Sequence, residues 1–129
     1  MLFKDNKHQE FFEENVRKTN SAGDPYREAL FYTLGLTGET RNNIADLYDF
    51  EENAIKPEGI KNPWQTGTSS RVTRLAFNLY NGYHGNDELN DDVGRYTPEN
   101  IFCDGLMFYF FEAVKLRYPE YYHDGGKME

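Results

Sequence analysis

Two stretches of this chain are unusually apolar for helices: Tyr26 to Leu36 is apolar on most sides, and Leu106 to Tyr118 is apolar nearly all round in its first half. A helix that lacks a polar face has to be buried, because solvent would otherwise meet apolar surface all round. We therefore expect Tyr26–Leu36 to be a central helix and Leu106–Tyr118 to cross the core. A chain of 129 residues is long enough to build one core around them.

The remaining helical segments are amphipathic and have recognisable ends. Asp24-Pro25 and Thr97-Pro98 match the cap-plus-proline pattern at a helix start, and Asn81-Gly82 matches a helix stop. The predicted amphipathic helices cover 6–17, 41–50, a segment from near Ser69 to 81, and a short segment from 97. Long loops are expected at 51–67 and 83–96. The prediction is an all-α fold, a compact single domain at 1–122 with five to six helices, followed by a frayed tail at 123–129.

The composition supports a folded, cytoplasmic protein with an aromatic core. Ten Phe, ten Tyr and one Trp supply large apolar side chains, and a strip of them left exposed would favour a homodimer. No run of 18 apolar residues is present, so no membrane-spanning helix is expected. Four charged residues fall within the first ten positions, where a signal peptide needs an apolar stretch. The single cysteine, Cys103, fits a reducing compartment.

Charge is distributed unevenly along the chain. The formal net charge of −8 disfavours direct nucleic-acid binding and favours a basic protein partner. The segment 61–82 nevertheless contains Lys61, Arg71 and Arg74 and no acidic residue. The acidic residues predicted to contact a partner are Asp87, Glu88, Asp91 and Asp92.

The sequence offers no catalytic or cofactor motif. His8, His84 and His123 lack the spacing of a metal site, and Cys103 has no adjacent basic group that could activate it as a nucleophile. No glycine-rich nucleotide loop is present. We therefore predict no catalytic residue, no resident metal and no cofactor. Residues 88–99 match a calcium-binding loop in part, although Val93 stands where that loop needs glycine, so calcium binding stays open.

The strongest candidate for a ligand site is the start of the helix near Ser69. A helix N-terminus leaves backbone N–H groups free and carries partial positive charge, which suits a phosphate or nucleotide. The predicted anion-binding residues are Trp64, Thr68, Ser69, Ser70, Arg71 and Arg74. The alternative is a well-capped helix whose arginines form surface ion pairs and whose hydroxyls bond their own backbone. Trp64 is then an anchor that folds back onto the core.

Several runs along the chain resemble a family of small bacterial proteins that is defined only as a domain of unknown function. These runs are Ala29-Leu-Phe-Tyr32, Tyr48-Asp-Phe-Glu-Glu52, Ile55-Lys-Pro-Glu-Gly59, Trp64-Gln-Thr66, Arg71-Val-Thr-Arg-Leu-Ala-Phe-Asn-Leu-Tyr-Asn-Gly82 and Tyr109-Phe-Phe-Glu-Ala-Val-Lys-Leu-Arg-Tyr-Pro119. The resemblance covers roughly residues 1–122. It implies an origin in Gram-positive bacteria, their phages and mobile elements, and it transfers no catalytic residue.

Two functional hypotheses follow from the resemblance and the charge. Small acidic phage proteins often bind host defence proteins, including CRISPR effectors with basic nucleic-acid channels, so the first hypothesis is an inhibitor that binds a macromolecular partner in the host cytoplasm. The alternative is a small-ligand or nucleotide-binding protein, with or without turnover, centred on the helix that starts near Ser69.

Overall fold

The computed structural model describes residues 1–123, which form six α-helices around one core. The helices are α1 (Asn6–Lys18), α2 (Pro25–Leu34), α3 (Gly38–Asn42), α4 (Gly67–Asn81), α5 (Pro98–Ile101) and α6 (Met107–Arg117). The two strands are β1 (Tyr48–Asp49) and β2 (Ala54–Ile55), which pair antiparallel with Tyr48 opposite Ile55. The all-α prediction is confirmed apart from this small hairpin. The predicted tail, 123–129, lies outside the described residues except for His123.

Helix α2 is the centre of the fold, as its apolar pattern predicts. Asp24 caps it by accepting hydrogen bonds from the backbone N–H groups of Tyr26 and Arg27, and Pro25 occupies the first turn. Every residue from Ala29 to Leu34 is buried. Helices α1, α4 and α6 pack against it from different sides.

The prediction that the last helix crosses the core is wrong. Of the residues in α6, Phe110 and Ala113 are buried, whereas Phe108 and Phe111 remain about half-exposed. The helix packs one side on α2 and α4 and turns the opposite side outward. Apolar content alone does not reveal this arrangement, because it counts side chains without showing which side meets the core.

The predicted helix at 41–50 is also wrong, because the chain turns into a hairpin there. Helix α3 ends at Asn42, and the side chain of Asn43 donates to the carbonyl of Glu39, which competes with helix continuation. After a 3₁₀ turn at Ile44–Asp46, the carboxylate of Asp49 accepts from two backbone N–H groups of the hairpin turn. Asn53 closes the turn with a left-handed backbone, φ 58°.

Both predicted loops contain short ordered elements. Strand β2 and a 3₁₀ turn at Pro57–Lys61 fall within 51–67, and 3₁₀ turns at Asp87–Leu89 and Val93–Tyr96 fall within 83–96. Another 3₁₀ turn, Pro119–Tyr121, follows α6. Within the described part of the chain, no helix combines the length and apolar character needed to cross a bilayer.

The Arg27 guanidinium ties α2 to the hairpin and to α4. Its Nε donates to the Tyr48 hydroxyl at 3.0 Å, and its Nη2 donates to the Asn53 carbonyl at 2.8 Å and to the Tyr80 hydroxyl at 3.0 Å. Its Nη1 pairs with Asp24 at 3.0 Å. The same cation therefore holds three elements that are far apart in sequence.

His8 joins α1 to α2 from a fully buried position. Its Nδ1 accepts from the backbone N–H of Lys4 at 3.0 Å, which leaves Nε2 as the donor to the Tyr32 carbonyl at 2.7 Å. Burial lowers the pKa of the His8 imidazole below its ordinary value of 6.5. Both ring nitrogens are satisfied only in the neutral form.

We expect acid to destabilise the protein partly through His8. Because its pKa is lower in the folded than in the unfolded chain, the unfolded chain takes up the proton first as the pH falls below about 6.5. Urea unfolding between about pH 7.5 and pH 5 should show a smaller loss of stability in His8→Gln than in the wild type. Carboxylates titrate in both proteins, so their contribution cancels when the two losses of stability are compared. Equal losses in the two proteins would contradict this role.

Candidate anion-binding cleft

Helix α4 begins with a reciprocal cap. The Thr66 hydroxyl accepts from the Ser69 backbone N–H at 3.0 Å, and the Ser69 hydroxyl accepts from the Thr66 N–H at 2.7 Å. Ser69 is buried and also donates to the Gln65 side chain at 2.6 Å. The helix therefore starts at Gly67, two residues before the predicted start near Ser69, and the Ser69 hydroxyl serves the cap.

Two backbone donors remain free at this helix end. Among the described residues, no protein acceptor bonds to the N–H groups of Gly67 and Thr68. Since α4 runs for 15 residues with its dipole positive at this end, the first turn attracts negative charge.

A polar cleft of about 320 Å³ opens beside this first turn. One wall comes from α4 and the residues before it, and the other comes from the 3₁₀ turn Val93–Tyr96 and helix α5. Its side chains are amides, hydroxyls and guanidinium groups. The lining residues are Gln65, Thr66, Gly67, Ser70, Arg71, Arg74, Arg95 and Asn100.

Arg74 is held in the cleft wall by a buried carboxylate. Its Nε donates to Asp91 Oδ1 at 2.9 Å, and Asp91 is fully buried. The Tyr96 hydroxyl donates to the other Asp91 oxygen, and burial together with this hydrogen bond raises the pKa of Tyr96. Only Nε of Arg74 has a hydrogen-bond partner among the described residues, so both terminal nitrogens remain available.

The side chains of Arg71 and Arg95 are less constrained by protein contacts than that of Arg74. Arg71 Nη1 lies 3.6 Å from Asp104 Oδ2, which is longer than a hydrogen bond, and 3.7 Å from the point that a β-carbon on Gly67 would occupy. The Arg71 guanidinium therefore lies over the first turn of α4. Arg95 is exposed, and no ion pair or hydrogen bond engages its side chain within the described chain. Three arginines against Asp91 and Asp104 leave one net positive charge.

The structure brings together part of the predicted anion site. Ser70, Arg71 and Arg74 line the cleft, whereas Thr68 is not among its lining residues and Ser69 is buried in the helix cap. Trp64 does not line it, because its indole N–H donates to Asp46 at 3.0 Å and its ring packs on the core. The alternative prediction was that the arginines form surface ion pairs. Arg71 and Arg74 both form ion pairs, but the Arg74 pair is with the buried Asp91.

Arg95 and Asn100 are cleft residues that the sequence analysis missed. No spacing rule connects them with Arg74, more than 20 positions earlier in the chain. The available signal was that Arg95 is the only Lys or Arg between 83 and 104, inside an otherwise acidic segment.

The predicted acidic contact surface needs one correction. Asp87, Glu88 and Asp92 are exposed, but Asp91 is fully buried and paired with Arg74, so a partner cannot reach its carboxylate. A backbone bridge between Asn86 and Asp91 closes this loop. Within residues 1–123, no group of three or more His, Cys, Asp or Glu side chains is arranged to hold a metal ion.

We expect Asp91→Ala to destabilise the protein by about 3–5 kcal/mol, because it leaves the Arg74 cation largely buried without its partner. Asp87→Ala removes an exposed acid of the same loop and should cost no more than about 0.5 kcal/mol. Urea unfolding of both variants measures the difference. Similar costs for the two substitutions would show that the buried pair is not a structural requirement.

Comparison with known proteins identifies the family of the chain. Neither the curated proteins nor the solved structures gave a match. One family model, described as a family of unknown function (DUF6075), matches residues 1–129. The chain thus belongs to the DUF6075 family.

Proposed function

We propose that this protein binds a phosphate-bearing small molecule in the cleft at the N-terminus of α4. The observation that carries the proposal is that three arginines line one cavity beside the first turn of α4, where two backbone N–H groups have no partner among the described residues. An isolated feature of this kind is common, but here donors converge from α4 and from the segment 93–101.

The donors suit an oxyanion in geometry as well as charge. Guanidinium groups bind phosphate through paired, charge-assisted hydrogen bonds, and Arg74 keeps both terminal nitrogens for this purpose. Asp91 and Tyr96 fix the position of Arg74 in advance, which lowers the entropy cost of binding. Arg71 and Arg95, being less constrained, are placed to close over the ligand.

The dimensions and lining favour a small ligand. A volume of about 320 Å³ lies at the lower end for small-molecule pockets, and the lining is polar. A phosphate monoester with a compact polar body fits these features better than a large apolar ligand. The lining side chains include no general base, so the proposal is for binding rather than turnover.

We expect inorganic phosphate and small phosphate monoesters to raise the melting temperature of the wild type, with calorimetry giving the affinity. Arg95→Ala should weaken binding by about tenfold or more, since it removes hydrogen bonds to a charged group. Lys7→Ala is the matched control, because it removes one exposed positive charge from α1, outside the cleft.

The two variants separate site binding from general charge effects. Equal weakening in both would assign the effect to net charge, and no response of the wild type to any phosphate compound would contradict the proposal. Both side chains are exposed, so neither substitution should disturb the fold.

A second proposal concerns a protein partner and rests on the exposed acids of the loop 86–92. Asp87, Glu88 and Asp92 lie together in an acidic chain of net charge −8, which supports contact with a basic protein. In this proposal the protein comes from a Gram-positive bacterium or its phage and acts in the cytoplasm. Its partner is a basic nucleic-acid-binding defence protein, such as a CRISPR effector, which it inhibits.

An affinity capture from nuclease-treated Gram-positive lysate tests the second proposal. The variant Asp87→Asn, Glu88→Gln, Asp92→Asn should lose a basic protein that the wild type retains. The control Glu10→Gln, Glu13→Gln, Glu14→Gln neutralises three exposed acids on α1 and should retain it. Retention by both variants, or an empty wild-type eluate, would refute contact through this loop.

A further inference from the structure

Helix α6 and the turn after it present a continuous apolar surface to solvent. Phe108, Phe111 and Tyr122 are each about half-exposed, and Tyr121 is 75% exposed. The positions recur at three- and four-residue intervals, which places them along one side of the helix and its extension. We call this surface the α6 face, made of Phe108, Phe111, Val114, Tyr118, Tyr121 and Tyr122.

The α6 face has two hollows that meet at its centre. A groove of about 410 Å³ lies at the C-terminal half, between Val114 and Tyr122, and a hollow of about 280 Å³ lies at the N-terminal half, beside Phe108 and Phe111. Val114 and Lys115 line both. The same face therefore combines projecting phenylalanine rings at one end with a groove lined by tyrosines at the other.

We propose that a second copy of this chain covers the α6 face in an antiparallel, two-fold arrangement centred on Val114. In this arrangement Phe108 and Phe111 of each copy enter the tyrosine-lined groove of the other. A two-fold interface requires a patch that is complementary to itself, and rings at one end with a groove at the other satisfy that requirement.

The charged groups on the face are compatible with this pairing. Glu112 and Lys115 form an ion pair at 3.1 Å within one copy. Because they lie on either side of the centre at Val114, antiparallel pairing sets Glu112 of each copy against Lys115 of the other. The face is thus locally neutral, although each chain carries a net charge of −8.

The exposed area of the α6 face reaches the lower limit for a specific dimer. At roughly 200 Å² for each aromatic side chain, the exposed fractions of Phe108, Phe111, Tyr121 and Tyr122 amount to roughly 450 Å². Val114 and Tyr118 are partly exposed and add to this figure. Two copies would bury roughly 1,000 Å², which is about the smallest area for a specific interface.

Sedimentation velocity over about 1–200 µM tests the proposal on the full chain. We expect the mass to approach twice 15.1 kDa as concentration rises, and the dimer to strengthen with added salt, which screens the repulsion between the acidic chains. Phe111→Asp should be a monomer throughout. Val93→Asp places the same charge at a residue that is 62% exposed and outside the α6 face, and it should behave as the wild type.

Circular dichroism of both variants separates loss of the dimer from loss of the fold. A wild-type monomer at the highest concentration overturns the proposal. So does a dimer that survives Phe111→Asp, because it must use another surface. The proposal is also overturned if Val93→Asp weakens the dimer as much as Phe111→Asp does.

A cysteine cross-link tests the two-fold centre. With the exposed native thiol removed by Cys103→Ser, Val114→Cys should form a covalent dimer on mild oxidation, since the two β-carbons would meet at the symmetry axis. Glu13→Cys in the same background, on the exposed side of α1, should not form one. Equal cross-linking of the two variants, or none at Val114, overturns the antiparallel arrangement.

Discussion

Helix α2 buries six consecutive side chains, from Ala29 to Leu34, and therefore needs neighbours on every side. Helices α1, α4 and α6 are those neighbours, and Arg27 joins the partly exposed beginning of α2 to the hairpin and to α4. Because α4 is fixed against α2 along its length, its first turn is held at the surface. One wall of the candidate cleft is thus part of a helix that packs against the centre of the fold, while the opposite wall comes from shorter elements.

The charge around the candidate cleft is opposite in sign to the net charge of the chain. A net charge of −8 describes long-range attraction and repulsion, which salt screens within about 10 Å. Inside the cleft, the nearest charges decide, and there arginines outnumber aspartates. Asp91 illustrates the difference: in sequence it belongs to an acidic run, but in the fold its carboxylate orients a cation. An acidic segment read from sequence is therefore not equivalent to an acidic surface.

What the sequence could predict was local, and what it missed depended on contacts between distant residues. The caps at Asp24 and Gly82 follow from hydrogen bonds and backbone conformations that span only a few residues, so their prediction is confirmed. The hairpin at 48–55 is held by Arg27, which no pattern between 41 and 50 contains. Only some of the residues that line the cleft could be predicted, for the same reason. Ser70, Arg71 and Arg74 share one helix, whereas Arg95 joins them only through the fold.

The position of Trp64 has a practical consequence. It is the only tryptophan in the chain, its indole N–H is held by Asp46, and it precedes the Thr66 cap by two residues. Its emission therefore originates from a partly buried ring next to the start of α4, and the ten tyrosines emit at shorter wavelength. Intrinsic fluorescence excited selectively at this residue would follow rearrangement of the cleft margin without any added label.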